Sequence, residues 1–295
     1  MRSINKIFNN KSSWQQNSFT DIINSGEQLV VFCSENVYHT SAVLSHILTW
    51  RDHFKQIALI LPEFEYSFFK RLEKKESIVC FSNRSEIKPF KNSVIFNFSS
   101  ERKARKIVDK CLRSSILDIN NPANLQFIPT PADPVMMLKE FADFFDFSWG
   151  TYQYEIDTSN SELMVARHQF IKNRFKNFIL DFSKSFPTNK IEKIVHKLKQ
   201  DFSANIYFTN KKITDKSLIN IEEIKIADLL ELYNLAKVSD ILITDKQTIA
   251  GTFSKLGIKQ VYLGLDFGCE NLQFTAPDNL VHLSKIINDS LITNS

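Results

Sequence analysis

Two strand-to-helix junctions, one in each half of the chain, limit what this sequence can fold into. The first runs Leu29-Val30-Val31-Phe32-Cys33, then the polar turn Ser34-Glu35-Asn36-Val37-Tyr38-His39-Thr40, then a helical pattern from Ser41 to Trp50. The second runs Asp240-Ile241-Leu242-Ile243-Thr244, then Asp245-Lys246-Gln247, then a helix ending near Gly257. Open α/β sheets bind ligands where an apolar strand feeds a helix N-terminus, because free backbone N–H groups and the positive helix end point there. Two such junctions predict an α/β chain of two doubly wound, parallel-sheet, Rossmann-like domains facing across a cleft.

The pattern around the junctions agrees. In the first half, strands are expected at Gln28–Cys33, Gln56–Leu61, Ser77–Phe81, Ser93–Phe98 and Ser115–Ile119. Helices at Thr40–Arg51, Glu65–Lys74 and Glu101–Leu112 separate them. Strands alternating with helices of this length indicate βαβ units. Four prolines between Pro122 and Pro134 then break the pattern, and Asp133-Pro134 reads as an N-cap followed by proline at the first helical position. After a polar linker and a helix over Glu162–Ile171, a second series begins. It has strands at Asn177–Phe182, Asn205–Thr209, near Asn220–Ile221, Asp240–Thr244 and Gln260–Leu263. Its helices are expected at Lys190–Gln200, Ile226–Ala236, Thr248–Leu256 and Leu280–Leu291. The domains are therefore assigned to residues 1–150 and 151–295.

Glycine usage restricts the chemistry. Only six glycines occur in 295 residues, and Gly26 alone precedes Gly150. A loop that wraps a phosphate closely needs glycine, since a Cβ blocks the approach. A glycine-rich phosphate cradle in the first half is excluded. The net charge of +4 is small for this length and does not argue for nucleic-acid binding. Cys33, Cys80, Cys111 and Cys269 are widely spaced, with no zinc or disulfide pattern. His39, His46 and His53 recur every seven residues, whereas a helical metal site prefers a spacing of three or four, so no metal is expected. No apolar run is long enough for a signal peptide or a spanning helix, which points to the cytoplasm.

The order of motifs resembles the bacterial heptosyltransferases, the family 9 glycosyltransferases with the GT-B fold. Their first junction has Gly-Asp-(apolar)-x-His-Thr-x-Pro-(apolar)-Leu, where this chain reads Glu35-Asn36-Val37-Tyr38-His39-Thr40-Ser41-Ala42-Val43-Leu44. Their second domain opens with a strand and a Lys-Arg-Trp-Pro-like turn, matched by Phe178–Phe182 and Ser183-Lys184-Ser185-Phe186-Pro187. A Leu-x-Glu-Leu helix corresponds to Leu229-Leu230-Glu231-Leu232. An Asp-Ser-Gly-x-x-His motif corresponds to Asp245-Lys246-Gln247-Thr248-Ile249-Ala250, and Val261-Tyr262-Leu263-Gly264 closes the series. The resemblance covers nearly the whole chain. It implies a nucleotide-diphospho-sugar donor, no resident cofactor, and a glycan or glycolipid acceptor that would bring the protein to the inner face of a membrane.

The departures fall where the resemblance would put chemistry. The base of the first junction is replaced by Asn36, whose amide takes no proton near neutral pH, leaving Glu35 beside it as a substitute. His39 either orients an acceptor or is a satisfied polar cap. In the second junction the Gly and His near the donor diphosphate become Gln247 and Ala250. Lys246 either supplies compensating charge to a diphosphate or is a solvated first-turn lysine, and Lys184 is likewise a phosphate contact or a turn residue. Candidate residues are thus Glu35, Asn36 and His39 for the acceptor chemistry, and Lys184, Asp245, Lys246, Gln247 and Thr248 for the donor. Two functions follow: a degenerate relative that serves as a binding or assembly module for a protein partner, or an active glycosyltransferase with altered catalytic residues.

Overall fold

The computed structural model describes residues 28–74, 78–85, 87–111, 115–118, 133–172, 174–209, 221–269 and 272–292. The chain divides into two compact units, residues 1–156 and 157–295. Most of the proline-rich break therefore lies outside the described residues.

In the first unit, β1 (Gln28–Phe32), β2 (Gln56–Leu61), β3 (Ile78–Ser82), β4 (Ser93–Asn97) and β5 (Ser115–Asp118) form one sheet. Its order is β3-β2-β1-β4-β5 and every pairing is parallel. The sequence of β1, Gln-Leu-Val-Val-Phe, is buried from its second residue onward, as a central parallel strand covered on both faces must be. Helix α1 spans Val37–Ile47 and continues as a 3-10 turn over Leu48–His53, and helix α2 spans Glu63–Phe69 before a second 3-10 stretch. On one face of the sheet Val30, Phe32, Ala58 and Ile95 pack with Ala104 and Val108 of helix α3 (Arg102–Val108). Elsewhere in the unit, Trp50 stacks with Phe147, and its indole N–H donates to the Ser148 carbonyl at 2.9 Å. Trp50 also meets Phe141 of helix α4 (Pro134–Phe145). As expected, Asp133 caps α4, its carboxylate accepting from the N–H groups of Val135 and Met136.

Several helix boundaries differ from expectation by a few residues, among them α3, expected over Glu101–Leu112 and found over Arg102–Val108, and the first two helices show why. Helix α1 starts at Val37 and not at Thr40. The polar turn after β1 is shorter than it reads because Asn36 supplies the cap, which puts His39 and Thr40 inside the first turn. Helix α2 likewise starts early, at Glu63, and ends at Phe69. In both cases apolar periodicity marks the buried stripe, while the geometry of the helix end decides the first turn.

The second unit begins with α5 (Asn160–His168), closed by a capping box between Ser159 and Glu162. Its sheet holds β6 (Lys176–Asp181), β7 (Ala204–Thr209), β8 (Ile221–Ile224), β9 (Ile241–Thr244), β10 (Gln260–Leu263) and β11 (Gln273–Thr275). The order is β11-β10-β9-β6-β7-β8, again all parallel. The three-residue edge strand β11 was not expected, being too short to show alternation. Helices α6 (Thr188–Asp201) and α9 (Leu280–Ile292) contribute Ile191, Ile194, Leu198, Leu283 and Ile287 to one core with the inner strands. Helix α7 (Leu229–Val238) and helix α8 (Gln247–Lys255) complete the unit.

Candidate functional site

Each sheet reverses its direction of growth once. In the first unit the reversal lies between β1 and β4, and in the second between β6 and β9. A crevice opens at the carboxyl ends of strands at such a point, which is where open α/β sheets hold ligands. Both sequence-predicted junctions sit there, one per unit.

At the first reversal, Asn36 is the N-cap of α1. Its side-chain oxygen accepts from the N–H groups of Tyr38 at 3.0 Å and His39 at 3.4 Å. The amide that replaces the expected base is therefore committed to holding the helix end. Glu35, next to it, turns away from the helix and accepts from the hydroxyls of Ser99 and Ser100, each at 3.0 Å. Those serines follow β4, so the carboxylate ties together the two strands that flank the crevice. His39 is half-buried in the first turn, with its ring tilted against Tyr38. His46 and His53 are engaged elsewhere, with Trp149 and Gly150 in one case and Phe147 in the other.

Behind this junction lies a carboxyl group that sequence reasoning missed. Glu65 on α2 is only 3% exposed, and one of its oxygens has no hydrogen-bond partner. Burial raises its pKa to about 8, a hydrogen bond from Thr40 partly offsets this, and the Glu35 charge raises it further. Glu65 is thus a neutral acid at pH 7, a state that low-dielectric surroundings impose. The same surroundings push up the thiol of Cys33 and the hydroxyl of Tyr154, which shares a 2.6 Å hydrogen bond with Ser41. A sequence signal existed: Glu65 stands three, four and seven residues before Phe68, Phe69 and Leu72, on the buried stripe.

At the second reversal the structure brings the Lys184 turn and the Asp245 junction together. The Asp245 carboxylate accepts from the backbone N–H of Ser183 at 2.6 Å and from the Ser183 hydroxyl. Ser183 follows β6 and Asp245 follows β9, so this crevice too is bridged by a carboxylate and a serine. Lys184 beside it is exposed. Gln247 is exposed at the first position of α8, and Thr248 accepts through its carbonyl from Thr252. Ala250 is fully buried, its carbonyl held by the Gln260 side chain at 2.6 Å.

Lys246 has a partner the sequence does not show. Its ammonium donates to Asp181 at 2.7 Å. Asp181 ends β6, is 2% exposed, and accepts also from the Thr209 hydroxyl. The charge that would have compensated a diphosphate instead neutralises an internal carboxylate. Lys246 occupies the N-cap position of α8 and makes no side-chain cap bond. A Cβ at Gly264 would overlap the ring of Tyr262, which would have to move to admit it. Among the described residues no three His, Cys, Asp or Glu side chains are grouped to hold a metal ion.

No family model and no curated protein matches this sequence. Solved structures do match its fold. Escherichia coli heptosyltransferase WaaC with ADP-2-deoxy-2-fluoro heptose superposes with a TM-score of 0.55 at 10% identity, over 91% of this chain and 100% of that one. E. coli ADP-heptose lipopolysaccharide heptosyltransferase II gives 0.54 at 8% identity, over 90% and 99%. The family 9 glycosyl transferase from Veillonella parvula DSM 2008 gives 0.55 at 11% identity, over 91% and 98%. At such identities the likeness is one of architecture, and the expectation drawn from the junction motifs holds at that level: this chain has the α/β fold of the GT-B heptosyltransferases.

Proposed function

We propose that this chain is a degenerate relative of the heptosyltransferases that keeps the GT-B fold as a binding or assembly module. One observation carries the reading: four polar residues of the two junctions, two at each sheet reversal, are engaged with the chain itself. Asn36 caps α1, Glu35 holds Ser99 and Ser100, Asp245 holds Ser183, and Lys246 neutralises Asp181. A neutral ion pair attracts a diphosphate far less than a free ammonium does. Calorimetric titration with ADP, UDP, GDP and their sugar conjugates tests this. The expected outcome is no micromolar binding and no sugar transfer; robust transfer to any acceptor would refute it.

A second reading rests on a different observation. Glu35 is exposed at the N-terminus of α1, and the first-turn N–H groups of α8 receive no bond from the Lys246 side chain. In this reading Glu35 deprotonates the hydroxyl of a glycan or glycolipid acceptor. The α8 N-terminus and Lys184 hold the diphosphate of a nucleotide-sugar, stabilising the charge that develops on departure. ADP conjugates are the first donors to test, because the WaaC structures contain ADP or an ADP-sugar. Transfer that is abolished in Glu35→Gln, with nucleotide binding weakened in Lys184→Ala, is the result this reading requires.

A further inference from the structure

Exposed apolar residues are not spread evenly over this surface. Eleven large apolar side chains are exposed among the described residues, and four of them, Met164, Val165, Ile171 and Phe175, fall within twelve consecutive positions. Met164, Val165 and Phe175 each keep more than half of their surface in solvent. Single exposed apolar residues are ordinary, whereas a group of them marks an interaction surface. The same positions, 164–175, carry Arg167, Lys172 and Arg174 and no carboxylate. All three cations are exposed, and none forms an ion pair with a described residue.

The segment is fixed from beneath. Helix α5 starts at a capping box, lies on α7 and buries Ala166. Beyond its end, Phe170 packs on the Tyr207 ring with centroids 4.9 Å apart, and the Ile171 N–H donates to the Tyr207 hydroxyl at 2.7 Å. Lys176, the first residue of β6, pairs with Asp240 at 3.2 Å. Met164 and Val165 stand one turn before His168 on the outer side of α5, and all three are exposed. Ile171 and Phe175 flank Lys172 and Arg174 in the connection to β6.

Local structure leaves this arrangement unexplained. The helix dipole favours Arg167 in the last turn of α5, but Lys172 and Arg174 lie past the helix. The crevice of the second unit does not use the surface either. Strand β6 runs from Lys176 to Asp181, which puts the segment at the strand end remote from the reversal.

We infer that this surface docks an acidic amphipathic helix of a partner protein. The docking rests on the binding-module reading of this chain and names its partner's chemistry. Apolar side chains along one stripe of the partner helix cover Met164, Val165, Ile171 and Phe175. Carboxylates flanking that stripe meet Arg167, Lys172 and Arg174, so charge complementarity sets the partner's sign. The Met164 thioether adapts its shape to the group it meets. A surface already held in place loses little entropy on binding. A bilayer suits it less, since an interfacial membrane helix presents a wide apolar face, whereas the nine residues of α5 expose two large apolar side chains.

Fluorescence anisotropy of the full chain with a labelled peptide of leucine and glutamate tests the docking. The peptide has roughly 18 residues, enough to form a helix, with its leucines on one stripe. Binding is expected, and is at least about tenfold weaker when lysine replaces the glutamates or alanine the leucines. Met164→Ser/Val165→Ser and Arg167→Gln/Lys172→Gln/Arg174→Gln each weaken binding about tenfold, from apolar contact in one case and three surface cations in the other. Lys193→Gln/Lys259→Gln/Lys285→Gln removes equal charge from exposed positions elsewhere in the unit and leaves binding unchanged. Circular dichroism checks that each variant keeps its fold. Four results would overturn the proposal: no binding of the leucine–glutamate peptide, equal binding of all three peptides, equal loss in the control triple, or binding to phosphatidylglycerol vesicles in preference to the peptide. Sugar transfer by the protein refutes the binding-module reading and leaves a measured peptide affinity in place, whereas absent peptide binding refutes the docking surface alone.

Discussion

The Lys246 ammonium and the Asp181 carboxylate stand 2.7 Å apart across 65 residues of sequence, at the reversal point of the second sheet. Asp181 is almost entirely buried, whereas Lys246 keeps about a third of its side chain in solvent. The pair leaves one Asp181 oxygen without a hydrogen-bond partner. Removing one partner of such a buried pair leaves the other without compensation, which is costly.

Removing that counter-ion should therefore destabilise the second unit. Lys246→Ala is expected to lower unfolding free energy by about 2–3 kcal/mol, somewhat less than for a fully buried pair because Lys246 is partly solvated. Adding Asp181→Asn removes the stranded charge while keeping an acceptor for Thr209, and should recover more than half of the loss. Urea titration of the three proteins gives the comparison. Equal stability of wild type and Lys246→Ala would show that the pair does not hold Asp181.

Glu65 makes stability depend on pH in a particular direction. Its folded pKa of about 8 lies above the ordinary carboxyl value of 4.5. The folded state therefore holds a proton that the unfolded chain releases between those values. Stability is complete below about pH 4.5, falls as pH rises, and levels off above about pH 8. Glu65→Gln keeps the neutral form at every pH. It should match wild type near pH 4.5 and exceed it by a few kcal/mol at pH 8, since the penalty grows by roughly 1.4 kcal/mol per pH unit over that interval. Denaturant midpoints at the two pH values are the measurement, and parallel curves would contradict it.

Asn36 separates a structural role from a chemical one. Asn36→Ala removes the bonds to the N–H groups of Tyr38 and His39 and should cost about 1 kcal/mol. Asn36→Asp preserves the cap and places a negative charge at the positive end of α1, so its stability should equal or slightly exceed wild type. The same variant restores a carboxylate where the heptosyltransferase pattern has one. With the second reversal still closed by Lys246 and Asp245, it should gain no transferase activity toward ADP-sugars. A gain would show that Asn36 alone separates this chain from an active enzyme.

Gly264 tests a close approach. Gly264→Ala drives a Cβ into the Tyr262 ring and should destabilise by about 1–3 kcal/mol, the usual range for overpacking. Replacing the ring as well, in Tyr262→Leu/Gly264→Ala, should relieve most of that clash. A double-mutant cycle with no interaction energy would reject the contact.

The junctions were legible because their signals are local. An apolar strand, a polar turn and a helix follow from neighbours within a few residues, as at Leu29–Cys33 or Asp240–Thr244. The helix starts were less so. The extent of α1 depends on which side chain caps it, and Asn36 moved the start to Val37. Strand β11 escaped because three residues carry no usable period. Glu65 was visible as a charge on an apolar stripe, but its neutrality follows from what surrounds it in the folded unit.

By itself, the sequence determined two doubly wound α/β units and placed a polar junction at the reversal of each sheet. Short-range hydrogen bonding and periodicity suffice for that, and the comparison with solved GT-B structures agrees. Only the tertiary structure decided what the junction residues do. Glu35 meets Ser99 because β4 lies beside β1, and Lys246 meets Asp181 because β9 lies beside β6. Those partners are more than sixty residues away, and it is strand order, set by the packing of whole sheets, that brings them together.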